Sequence, residues 1–149
     1  MKLGRLSAYT TLLGCALALS TLSCSSDSSS TPAAATYPAT PFAVVTTDVG
    51  GYSVATRTEP GQPPPAGLST VELTITDSTG APVDGLTIDT LPWMPVMGHG
   101  ASVTPTTVPK GNGVYILTDV DMFMAGTWDL HFTITGPVTA HATVTFQIT

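Results

Sequence analysis

The 149-residue chain sets ten Asp and Glu against only four Lys and Arg, a formal net charge of −6. Such a surface repels nucleic acid and anionic lipid headgroups but not cations. Its two cysteines, Cys15 and Cys24, stand near the N-terminus, so everything downstream lacks a disulfide, a thiolate nucleophile and a thiolate metal ligand.

Lys2 and Arg5 open the chain, and a largely apolar run rich in Leu, Ala, Ser and Thr extends from Leu6 to Leu22. The run is short for a membrane span, and its flanks suit a secretory signal. It ends in Thr21-Leu22-Ser23-Cys24, which resembles the lipobox of bacterial lipoproteins, where a small residue precedes a cysteine that is cleaved and lipidated. Thr21 stands where Leu is usual. Leu12-Leu13-Gly14-Cys15 is a closer local match, but it leaves too short an apolar run. Residues 1–23 are therefore expected to be a lipoprotein signal peptide, with Cys24 the lipidation site. A soluble exported protein is the alternative. Loss of Lys2 and Arg5 leaves ten acids against Arg57 and Lys110, a net of about −8 by simple count.

Residues 24–41 are Ser, Thr, Ala and Pro with one acid, Asp27. They cannot bury enough apolar surface to offset chain entropy and are expected to form a disordered tether. One folded domain is expected over residues 42–149, long enough for a two-layer core. Within it apolar residues alternate with Thr and other polar residues, the strand period, and no helical period appears. The expected strands cover residues 42–48, 52–58, 70–77, 86–90, 102–105, 114–120, 127–135 and 139–148. Val71, Leu73 and Ile75 share one face. Trp128, Leu130, Phe132 and Ile134 share another, and Ala142, Val144, Phe146 and Ile148 repeat the pattern. Turn chemistry separates the strands at residues 77–80 (Asp-Ser-Thr-Gly), 110–113 (Lys-Gly-Asn-Gly) and Gly136-Pro137. Residues 59–67 form a Pro-rich loop. Seven to eight short strands with regular turns predict an all-β, immunoglobulin-like antiparallel sandwich.

No nucleophile elbow, zinc-protease helix or phosphate-binding glycine loop occurs, and the acids are scattered. Asp119 and Asp121 are the only close pair, in the manner of a solvated strand face. The chain is therefore not expected to be an enzyme. The densest chemistry lies in Pro92-Trp93-Met94-Pro95-Val96-Met97-Gly98-His99-Gly100. Thioether sulfur suits cuprous copper, and imidazole suits both copper oxidation states. Met122 and Met124 bring two more sulfurs, so four of the five methionines form two clusters. Absence of cysteine excludes a blue-copper centre and structural zinc of the thiolate type. His131 and His141 fall on the polar faces of the last two strands as diagonal neighbours, either a two-ligand site for a divalent ion or plain surface.

Met94-Pro95-x-Met97-Gly98-His99-Gly100, then Gly113-x-Tyr115, then Met124-Ala125-Gly126-x-Trp128 resembles the YtkA-like domain, which is related to the FixH family. The resemblance covers residues 68–148, with Ala125 where the pattern has Pro. It implies an exported or membrane-attached immunoglobulin-like sandwich, in some members tied to copper handling or copper-oxidase assembly. The positions it matches are Met94, Met97, His99 and Met124. Each has a structural alternative: Met94 and Met97 as flexible gap-fillers, His99 as a turn cap, Met124 as core at a strand end. Trp128 is expected in the core and Trp93 as lid packing.

The expected function is an extracytoplasmic, lipid-anchored binding module that holds or passes copper. Its expected partners are the membrane, through the anchor, and a copper-handling or envelope protein, not nucleic acid. The alternative is a metal-free interaction module. Ser25 supplies no acidic retention signal after Cys24, so the expected location is the outer membrane, facing the periplasm. Lipid anchoring predicts that the mature protein begins at Cys24 and carries acyl chains by intact mass, and that Cys24→Ala releases it from membranes. A mature chain without acyl mass would remove the anchor.

Overall fold

A computed structural model describes residues 35–149. The signal segment, Cys24 and residues 24–34 of the expected tether lie outside the described residues. Among the described residues nine strands form two antiparallel sheets. In chain order they are β1 (Ala43–Thr46), β2 (Ser53–Glu59), β3 (Gly67–Thr76), β4 (Thr87–Met94), β5 (His99–Gly100), β6 (Thr106–Gly111), β7 (Val114–Met122), β8 (Gly126–Thr135) and β9 (Thr139–Ile148). One sheet has the order β1-β2-β3-β7-β6 and the other β5-β4-β8-β9. The architecture is the all-β sandwich that the alternation predicts.

The core sits between the sheets and is built by that alternation. Val71, Leu73 and Ile75 face inward from β3, and Trp128, Leu130, Phe132 and Ile134 from β8. Ala142, Val144, Phe146 and Ile148 do so from β9. With no disulfide downstream of Cys24, this apolar burial is the main source of stability.

Three elements depart from the expected pattern, each for a local reason. β4 runs on through Pro92 to Met94. Proline is tolerated because Pro92 turns its backbone away from β8: its carbonyl accepts from Ala101 N–H at 3.2 Å just past β5, so the missing donor is not one the β4–β8 ladder uses. Residues 102–105 form no strand; pairing comes instead from the two-residue β5 before them and from β6 after them. In β7 the register slips opposite β3 between Ser69 and Val71. Leu117 and Val120, three residues apart, therefore both reach the core, and Asp119 takes a positive φ of 61° between them.

The end of the expected tether is also held. Ala39 carbonyl accepts from Arg57 Nη2 at 3.4 Å, and Thr40 carbonyl from Gln62 Nε2 at 3.0 Å. Phe42 N–H bonds Thr56 carbonyl at 2.7 Å, and its ring stacks on Phe146 at 4.6 Å. Burial pushes the Tyr37 phenol pKa above its ordinary value. Arg57 also pairs with Glu72 across β2 and β3 at 3.0 Å.

The end of the sandwich at the β6–β7 turn is closed by side chain-to-backbone bonds. The Tyr115 hydroxyl donates to Val83 carbonyl at 2.9 Å and accepts from Leu86 N–H at 3.1 Å. Asp84 accepts from Asn112 N–H and Gly113 N–H at 3.2 and 2.8 Å. Gly113 is required there: φ is 71°, and a Cβ would lie 2.4 Å from Ile75 carbonyl oxygen. Tyr115→Phe removes one oxygen and strands a donor and an acceptor together. The expected loss is about 1–3 kcal/mol in chemical denaturation. An unchanged midpoint would mean that water satisfies both groups.

Candidate functional site

The other end of the sandwich holds the methionine and histidine residues. β4 ends at Met94, whose carbonyl accepts from both Met97 N–H at 3.2 Å and Gly98 N–H at 2.9 Å. Gly98 takes φ of 68°, the left-handed conformation that a tight reversal needs and that glycine adopts freely. The chain then returns as β5, pairing His99 with Met94 and Gly100 with Trp93. At Gly100 a Cβ would lie 2.8 Å from Pro92 carbonyl oxygen, so only glycine lets β5 come this close.

The β7–β8 connection meets this hairpin. Trp128 is fully buried, and its indole N–H donates to Met124 carbonyl at 2.9 Å, which fixes the connecting loop to the core. Phe123 crosses the indole edge-on at 5.5 Å. The His99 ring stacks on Phe123 at 5.8 Å and meets Trp128 edge-on at 6.2 Å. Gly126 has φ of 133°, and a Cβ there would lie 2.5 Å from the Met94 methyl carbon. Met94, His99 and the Met124 backbone are thus gathered around Trp128.

Their accessibility differs. Met94 is 4% exposed and belongs to the core, whereas Met97 is 57% and Met124 37% exposed. His99 is half-buried. Its Nδ1 lies 3.2 Å from Gly100 carbonyl. A carbonyl only accepts, so Nδ1 is the donor in this contact, and Nε2 is the ring nitrogen left for another partner. Val96 and Phe123, at 82% and 45% exposure, complete an apolar rim. Met122 is fully buried. Trp93 is half-buried on the outer side of β4. Among the described residues no three His, Cys, Asp or Glu side chains are grouped to hold a metal ion, so the donors at this end are thioether sulfur and one imidazole.

Residues 46–133 match the family model for YtkA-like proteins. The chain belongs to the YtkA-like family. The match spans β2 to most of β8 and contains Met94, Met97, His99 and Met124. It begins well before the stretch the sequence motifs cover and stops before β9. No curated protein and no solved structure matches this YtkA-like chain. Two residues of the motif stretch have roles that the sequence does not show. Phe123 precedes Met124 directly but declares its role only when it stacks on His99, and Gly126 only when the Met94 methyl fills the space above it.

The contact between Met94 and Gly126 is testable as a pair. Gly126→Ala should cost on the order of 1–3 kcal/mol by overpacking. In a Met94→Ala background that cost should fall by roughly 1 kcal/mol in a double-mutant cycle read by urea unfolding. An unchanged cost would place the strain in the backbone alone.

Proposed function

We propose that this YtkA-like protein is an extracytoplasmic, lipid-anchored binding module that holds and passes copper through Met97, His99 and Met124, with Met94 beneath them. The reading is of a carrier, not an enzyme. The observation that carries it is the His99 ring. Its Nδ1 is spent on a backbone carbonyl, the arrangement that orients metal-bound imidazoles and leaves Nε2 as the donor. Met97 and Met124, both thioether side chains, are exposed at the same end. A donor set of thioethers and one neutral imidazole carries no charge and favours the cuprous ion. Transfer would proceed by ligand exchange, one exposed sulfur released at a time. The acidic surface attracts cations over a longer range.

A second reading is favoured by the exposure of Val96, Met97, Phe123 and Met124 together. An apolar, methionine-bearing rim also suits a metal-free contact with an envelope protein.

Cuprous titration against a chromophoric chelator separates the two. The full chain is used in detergent with Cys15→Ser and Cys24→Ser, so that no thiol competes. Copper carriage predicts one equivalent taken from the chelator. His99→Ala, Met97→Ala and Met124→Ala should each weaken it by about tenfold or more. Met94→Leu, which keeps the core filled, should weaken it less. No transfer from the chelator, or equal affinity in every variant, would leave the protein-contact reading.

A further inference from the structure

On the outer face of the four-stranded sheet, the face opposite the one that buries Met94, His131 of β8 stands opposite Thr143 of β9, and Thr133 stands opposite His141. The two histidines are therefore diagonal neighbours across one interstrand gap. Diagonal Cβ atoms lie roughly 7–8 Å apart or somewhat less, within reach of long and aromatic side chains. Both rings lean over the same gap. His131 Nδ1 is 2.9 Å from the Thr143 hydroxyl, and His141 Nδ1 is 3.4 Å from the Thr133 hydroxyl. Each ring thus has one nitrogen engaged across the gap and Nε2 left over.

The surroundings are one-signed. Asp129 lies two residues before His131 on the same face of β8, and Asp89 of β4 stands opposite Thr133. Asp48 accepts the His141 N–H at 2.6 Å. The folded part's two cations are both on the other sheet, Arg57 on β2 and Lys110 on β6. Two imidazoles fixed on paired strands, in an acidic field with no cation on their sheet, have the chemistry to chelate a borderline divalent ion, water filling its other positions.

We infer that His131 and His141 form a two-imidazole site for a divalent transition-metal ion of the zinc or nickel type, separate from the methionine end. The site goes beyond the copper reading and does not depend on it. Zinc discriminates the two, because thioethers bind it poorly while imidazole binds it well.

The test is zinc titration of the full chain in detergent, with both cysteines changed to serine, followed by the imidazole nitrogen resonances in NMR. One equivalent should bind and shift the Nε2 signals of His131 and His141 together. His131→Ala or His141→Ala should each weaken binding at least about tenfold, since the two donors act as a linked pair. His99→Ala should leave zinc affinity within about twofold while weakening cuprous binding about tenfold or more if the copper reading holds. Independent weak binding at each histidine, unchanged affinity in both alanine variants, or loss of zinc in His99→Ala would each overturn the site. Both side chains are on the outer face, so neither substitution touches the core.

Discussion

Trp128 ties the interior to the chemistry. Its indole is fully buried between the sheets, yet its N–H leaves the core to hold Met124 carbonyl and its edge meets Phe123 and His99. A buried indole needs a partner for its one donor. Here that requirement is met by the loop between β7 and β8, so packing the core and positioning the loop are one event. β9 pairs Phe146 with Trp128, and the ladder to β4 reaches the next residue, Asp129. Gly126, two residues before Trp128, leaves the volume into which the Met94 methyl fits. The hairpin and the loop thereby meet around a single side chain rather than through a polar network.

The two ends of the sandwich are built on opposite principles. At the β6–β7 turn, Tyr115 and Asp84 satisfy four backbone groups, and an unpaired group there would be costly. At the methionine end the backbone is satisfied by tight reversals, while apolar and soft side chains are left facing water. Exposure of Val96, Met97, Phe123 and Met124 together stabilises nothing in the isolated domain. On the proposed reading it serves contact with an ion or a protein, and the closed end gives the rigid frame from which it projects.

The sequence makes most of this frame legible, and the exceptions have physical causes. The inward sets of β3, β8 and β9 follow from strict alternation, because a strand's side chains can only face two ways. β4 is shorter in the sequence reading than in the fold because Pro92 reads as a breaker until it is known that its backbone turns away from β8. β7 hides its phase because the bulge opposite Ser69 and Val71 sends Leu117 and Val120 to the same side. The end of the tether reads as disordered from composition, yet Ala39 and Thr40 are held by Arg57 and Gln62, partners that local composition cannot show. At the site, residue types and order were readable, and so was the core role of Trp128. Burial was not: Met94 and Met97 look equivalent in the chain, and the fold buries one and exposes the other. Which ring nitrogen of His99 is left for another partner also depends on a carbonyl that becomes its neighbour only through the β5 reversal.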